Sequence, residues 1–486
     1  MGLDGYPPHP ALGNFLETHK EMAGTSAAWH PDGRRVTVWG EDSLRPGPGP
    51  SFWTVPLEGG VAVHTEVAAP IAKSFAELAV QSGSEWLDDA KFRWAPTGDA
   101  FFLERTFRGA RSLWRLAIDP KSLKATGLER LTAGASLDMG PAISPDGKRL
   151  AFTAATRKIS AWMYPLDANQ GKIVGNGRAI TPSGLHAWFT GISRDSSKLV
   201  FSGIRAGEQR LWMKSLPDGP EAPLFFDQFF RILAQWSPDG KYLAYRRTQH
   251  GSEASQIMLW SEETRQEKPL TSQTRSARTQ AELVYDWSPD GKTILITKAV
   301  LGGDPREIGN EPFGQFHDVA AWQIPIAAAP RAELQERRII SDPRYGIYQE
   351  HFSPDGQWIV FEAVRMPRTP TEMQDSSLYV TRASGGPWIA IVDEKPWADK
   401  PRWSPDGRTI YFLSARGSFF NVWAIRFDPK TGQRVGEAFR MTKLDSPSLS
   451  IPGHMGTFEI SVSEKALVLT LAQVTGGIWM LDNVDR

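Results

Sequence analysis

The chain has 486 residues, and its 55 basic and 55 acidic side chains are interspersed and cancel. That balance argues against a general polyanion binder, which needs a basic face, and no apolar run reaches the length of a membrane span. With no cysteine, disulfides, thiolate metal sites and cysteine nucleophiles are excluded.

A hydrophobic content of 41% suffices for a large core, and 44 glycines, 36 prolines and 19 tryptophans mark a turn-rich chain with heavy aromatic packing. Met1–Pro10 lacks the basic and apolar regions of a signal peptide. The default compartment is therefore the cytoplasm, or the periplasm or exterior if an export signal or upstream domain precedes this chain. Asn14–Thr18 reads as a lone strand ahead of a long repeat array.

The clearest copy of the repeat is Trp236-Ser237-Pro238-Asp239-Gly240 with the strand-like Lys241–Arg247 behind it. Its chemistry is that of a hairpin. Proline presets φ at the first turn position, aspartate accepts from its own backbone, and glycine takes a positive φ. Further clear copies centre on Pro31, Pro145, Pro289, Pro354 and Pro405. Degenerate copies at Ala95–Gly98, Ser193–Ser196 and Ser461–Glu464 fill the gaps. Downstream of each hairpin comes an apolar run with one large aromatic: Trp53, Trp114, Trp162, Trp212, Trp260, Trp322, Tyr379, Trp423 and Trp479. A fourth short strand usually follows, as at Leu128–Thr132. Four strands in about fifty residues is the signature of a β-propeller blade.

The expected fold is a single all-β propeller of nine four-stranded blades spanning 1–486, with eight blades as the fallback. The blades are expected near 25–68, 88–134, 138–183, 186–227, 230–273, 282–342, 346–393, 398–443 and 455–484. The last lacks a fourth strand, and residues 14–18 are expected to pair with it and close the ring, removing an exposed edge.

The Trp-Ser-Pro-Asp-Gly-Lys-x-Leu-Ala-Tyr pattern at Trp236–Tyr245 resembles the WD40-like PD40 repeats of TolB-type propellers. Similar propellers occur in tricorn-type and prolyl-oligopeptidase-type peptidases. The resemblance implies a bacterial repeat protein and a propeller fold. It does not fix a function, because that superfamily mixes scaffolds, sensors and gating domains. The amino-terminal domain of TolB proteins and any hydrolase domain are absent from this sequence.

The first-to-second strand turns are clamped and short. The insertions 40–50, 70–89, 248–255, 301–318, 367–375 and 444–455 belong to the other loop classes and should share the opposite rim. Function on repeat scaffolds concentrates in such loops. The candidate binding residues there are Trp86, His186, Trp188, Phe229, Phe230, Arg231, Phe313, Phe316, His317, Arg344, Tyr345, Trp397 and His454. Ile71, Phe75 and Leu78 suggest a short amphipathic helix over the channel. His186, His250, His317 and His454 fall on the loop face without any metal-ligand spacing, so neither metal nor cofactor is expected.

A second ring lies two residues before each hairpin serine position: Ala28, Arg93, Ala142, Gly191, Gln235, Asp286, His351, Arg402 and Glu459. These belong to innermost strands, and their mixed charges are expected to pair across water. No nucleophile elbow or phosphate loop occurs. The reading favours a non-catalytic recognition or scaffold module, monomeric, binding a protein or small ligand on the loop face. The alternative is a carbohydrate or peptide lyase or hydrolase, with a channel histidine from the set His186, His317 and His454 beside a carboxylate.

Overall fold

The computed structural model describes residues 22–42, 51–68, 91–107, 110–134, 136–182, 184–205, 208–249, 255–272, 281–301, 316–326, 336–365, 375–393, 397–452 and 458–485, with Leu12, Phe15 and Ile71. The fold is all-β, built from four-stranded antiparallel sheets. The chain divides into two compact units, Met1–Arg157 with Arg306–Asn310 and Val474–Arg486, and Lys158–Pro305 with Glu311–Gln473.

The expected hairpins form for the expected reasons. At Ser353 the hydroxyl donates to Asp355 Oδ1 at 2.6 Å and accepts from the Trp358 N–H at 2.9 Å. The same carboxylate accepts from the Gln357 N–H at 3.0 Å, while Gly356 takes φ +70°. The side chains thus satisfy the backbone groups that a tight turn leaves orphaned. Identical Ser–Asp pairs lock the turns at Ser144, Ser237, Ser288 and Ser404.

In the second unit, five consecutive sheets begin with the inner strands His186–Ile192, Phe229–Trp236, Ala281–Trp287, Tyr345–Phe352 and Ala398–Trp403. A sixth inner strand, Ile460–Val462, pairs with the start of the long strand Ala466–Asp482. That sheet continues through the second half of another long strand, Arg149–Asp167, to Arg178–Ala179. The six inner strands touch in cyclic order, the last meeting the first, so this unit is a closed propeller ring. Neighbouring sheets pack through buried apolar clusters such as Val200 and Leu211 against Trp236, Tyr245 and Trp260. The tryptophan before the turn serine reaches back to the preceding sheet. Trp287 Nε1 donates to Gln235 O at 3.1 Å and Trp403 Nε1 to His351 O at 3.0 Å.

Inner strands share another device. Phe189, Leu233, Gln349 and Lys400, each four residues before the turn serine, have φ between 48° and 56°. At each, the register with the second strand slips. Such bulges re-aim the side chains around them, here where the strands line the ring's axis.

The first unit holds three sheets in series. Their inner strands are Met22–Trp29, Phe92–Trp94 and Leu137–Ile143. The third sheet is completed by the first half of Arg149–Asp167 and the second half of Ala466–Asp482. A Cβ on Gly476 would lie 2.5 Å from Ala154 O, so this close backbone approach requires glycine there.

Two expectations are corrected. One nine-membered ring closed by 14–18 is replaced by a six-sheet ring in one unit and three sheets in the other. Of the expected closing strand, Phe15 packs on Val38, Trp53 and Val55 of the first sheet; Asn14 and Leu16–Thr18 lie outside the described residues. The third and ninth repeats also lack the expected turn between second and third strands. Each instead runs straight on, as Arg149–Asp167 and Ala466–Asp482, so the two repeats exchange halves. Residues 154–160 contain no Gly, Pro or Asn to make a turn. The helix expected near 70–80 lies outside the described residues except for Ile71, which packs beside Phe52, Phe92 and Trp94.

Candidate functional site

The turn ends of the six inner strands surround a funnel of about 210 Å³ in the second unit. Its rim is made by Pro238, Pro289, Pro354 and Pro405, with Arg194 and Glu464 between them, and its walls by Trp236, Trp287, Phe352 and Trp403. Gln235, Asp286, His351, Arg402 and Ser461 occupy the equivalent position two residues before each turn and form its polar lining. The last of these corrects the sequence register. The final turn starts at Ser463, whose N–H donates to Ala466 O at 2.9 Å. Glu459 therefore stands four residues before its turn, in the place of Gln349 and Lys400.

That register brings charges together directly, where water-bridged pairing was expected. Arg402 binds the Glu459 carboxylate and donates to Gln349 Oε1 at 3.1 Å. Gln349 Nε2 donates to Glu459 Oε1 at 2.8 Å, and all three are buried. Beside them, the His351 Nδ1 lies 3.6 Å from Asp286 Oδ2, which also accepts the Phe352 N–H at 2.9 Å. Burial, with the Arg402 charge next, holds His351 below its usual pKa, so the ring is neutral at pH 7. Its Nε2 is buried without a hydrogen-bond partner. A buried nitrogen left unpaired carries a desolvation cost that a ligand group would relieve.

Deeper along the inner strands lie more titratable groups. Glu350 is 0% exposed, and both its oxygens face Thr297 Oγ1 at 3.0–3.1 Å; burial pushes it up to about 8. Burial, then the neighbouring Asp399, raises Glu362 well above the carboxylate range. Lys400 bonds Asp399 at 3.2 Å. Burial opposes its charge, but Asp399, Glu459 and Glu362 outweigh burial and raise it. Tyr285 is raised by burial and meets His351 edge-on at 6.4 Å between ring centres.

The candidates on inner strands, His186, Trp188, Phe229, Phe230, Arg231 and Tyr345, lie toward the ends opposite the turns, up to about 23 Å away for a strand of this length. Trp188 packs against Ile159, Phe458 and Ala472, and His186 meets it edge-on. Arg231 is buried, bonded to Asp227 at 2.6 Å and Glu267 at 3.1 Å, with its guanidinium over Phe225. Phe229 lies beneath Arg247, and the partly buried Phe230 follows it. Arg344 is exposed, bonds Asp342 and covers Tyr345. Trp397 packs with Tyr348 and Val364. Phe316 and His317 begin the strand Phe316–Pro325, while Trp86, Phe313 and His454 lie outside the described residues. So do most of the insertions expected to build that rim. The funnel's carboxylate-facing histidine is His351, which the sequence placed in the charged ring and not among the site candidates.

No family model matches the chain. An uncharacterized protein of Agrobacterium fabrum is 26% identical over 179 residues, 32% of this chain and 57% of that protein. The uncharacterized peptidase YuxL of Bacillus subtilis is 25% identical over 190 residues, 34% of this chain. The chain thus spans 57% and 26% of the lengths of these curated relatives. Among solved structures, a candidate TolB from Agrobacterium tumefaciens aligns with TM-score 0.44 and 18% identity, covering 65% of this chain and 99% of that one. An oligogalacturonate lyase in complex with manganese aligns with TM-score 0.37 and 15% identity, covering 70% and 89%.

Chemically, the funnel offers a neutral imidazole backed by a carboxylate, a guanidinium committed to Glu459, and three indoles. Of the serines that line it, Ser237, Ser353 and Ser404 donate to turn aspartates, and Ser461 and Ser463 donate to the backbone carbonyls of Thr190 and Ala466. Among the described residues, no group of three or more His, Asp or Glu could hold a metal ion.

Proposed function

We propose that this chain is a non-catalytic recognition module, with the funnel at the turn end of the six-sheet ring as its ligand site. The observation that carries the reading is the funnel at the turn end of a closed ring, lined by His351, whose buried Nε2 lacks a hydrogen-bond partner. The bulged inner strands fix the surrounding side chains, and every carboxylate and guanidinium of the Arg402–Gln349–Glu459 group is already paired. Such a surface is preorganised for hydrogen bonding to a protein segment or small polar ligand. The loop-face set around Phe229 and Tyr345 is the competing location for the same role.

The enzyme reading, a lyase or hydrolase of carbohydrate or peptide, is favoured by one feature, the His351–Asp286 pair. Against it stand the 3.6 Å separation, longer than a hydrogen bond, and the commitment of Asp286 to a backbone amide.

Both are tested by titrating panels of short peptides and of oligosaccharides while following the fluorescence of Trp236, Trp287 and Trp403. A bound compound should be recovered unchanged. Binding should be lost in His351→Ala and kept in Phe229→Ala and Tyr345→Ala. Loss in the latter pair alone moves the site to the loop face, and His351-dependent consumption of the compound establishes the enzyme.

A further inference from the structure

Eight of the nine repeats place a residue on the second strand that is covered by the next sheet: Thr37, Phe102, Val200, Ala244, Leu295, Val360, Tyr411 and Val468, all buried almost completely. The equivalent in the third sheet, Ala151, is only partly covered. That sheet differs in a second way. Its outermost strand is Val474–Asp482, and among the described residues nothing pairs with its outer edge, where other sheets carry a fourth strand. On this strand Ile478 is 77% exposed, Trp479 63% and Met480 57%.

Monomeric sheets guard such edges with lysine, proline or an inward charge. From Val474 to Leu481 there is none of these. The chain's own residue 15, expected to cover this edge, packs instead on the first sheet.

We propose that two copies of the chain pair antiparallel through this edge, each supplying the fourth strand that the other's third sheet lacks. A two-fold axis through Trp479 suits the sequence. It sets Ile478 opposite Met480 and Gly477 opposite Leu481, and it brings the two indoles together as a cross-strand pair. Asp482 then faces Gly476, so no like charges meet. Ile478 and Met480 of both copies fall on one face, by the two-residue period of a strand. Trp479 shares the opposite face with Leu481, which packs beside Leu150 and Phe152. The partner is thus a second copy of this chain, and the interface lies in the first unit. The sequence had been expected to yield a monomer.

Sedimentation velocity on the intact protein should show a monomer–dimer equilibrium between about 1 and about 100 µM, the range of a small interface. The variant Ile478→Lys/Met480→Lys, which sets like charges opposite one another, should be monomeric throughout, with an unchanged circular dichroism spectrum and melting temperature. Because the protein has no cysteine, Trp479→Cys introduces a single thiol directly across the axis. It should oxidise to a covalent dimer about tenfold faster than Phe226→Cys, an exposed control in the other unit. A wild type that stays monomeric, a lysine variant that associates like the wild type, or equal oxidation of the two thiols would each overturn the proposal. Association requiring a different protein would also overturn it.

Discussion

Trp403 and Trp29 occupy the same place in the repeat, one residue before the turn, yet Trp403 is 8% exposed and Trp29 is 63% exposed. The difference is supplied by the sheets around them. Trp403 belongs to a ring in which every sheet has a predecessor, and its Nε1 meets the backbone of that predecessor at His351. Trp29 ends the inner strand of the first of three sheets in series, and that sheet has no predecessor within its unit. Trp94, one sheet later, is buried and donates to Thr37 Oγ1 of the first sheet at 2.9 Å. A propeller tryptophan is therefore core or surface according to its neighbour, whatever its local sequence.

The comparison breaks if the two tryptophans respond alike to truncation. Trp403→Ala should cost about 3–5 kcal/mol in urea unfolding, and Trp29→Ala no more than about 0.5 kcal/mol. The ring's axial polar cluster should be nearly as sensitive. Arg402→Met removes the guanidinium bonded to the buried Glu459 carboxylate and should cost about 3–5 kcal/mol, much of it recovered when Glu459→Gln is added. Failure of the double variant to recover would show that the pair is not what stabilises the axis.

Glu350 sharpens the contrast through pH. Its folded pKa is raised from 4.5 to about 8, so the fold favours the protonated acid. Its contribution is fully present below pH 4.5 and is lost as pH climbs toward 8, at a slope of about 1.4 kcal/mol per pH unit. Glu350→Gln, which mimics the protonated acid, should flatten the wild type's fall in stability across that window. A smaller effect comes from the turns. Ser353→Ala removes a donor to Asp355 and an acceptor for Trp358 and should cost about 1 kcal/mol by the same unfolding measurement.

Much of the architecture was legible residue by residue. The Ser-Pro-Asp-Gly turns and the apolar second strands obey local rules, and the structure places them as read; among the third-strand aromatics, Trp162 and Trp479 fall in exchanged sheets instead. The tryptophan core was legible in part: Trp94, Trp260, Trp287 and Trp403 are buried as read, whereas Trp29 and Trp479, read as core from the same pattern, are each 63% exposed because no sheet among the described residues covers them. The candidate site was less so. Asp286, His351, Arg402 and Glu459 stood out as a charged ring, but their direct pairing depends on bulges at Gln349 and Lys400 that no composition signal marks. The preference for the loop face followed from insertion lengths, which say nothing about where buried polar atoms lack partners.

The sequence alone determined the repeating unit: nine turn signals, their strands and an all-β propeller class follow from local backbone chemistry, which acts over a few residues. Only the tertiary structure decided how many sheets close on each other and which strand completes which sheet. Ring closure and the exchange between Arg149–Asp167 and Ala466–Asp482 join residues hundreds of positions apart. Strand edges recognise one another through hydrogen bonds that are the same for nearly every sequence, so the choice of partner leaves little trace in the residues themselves.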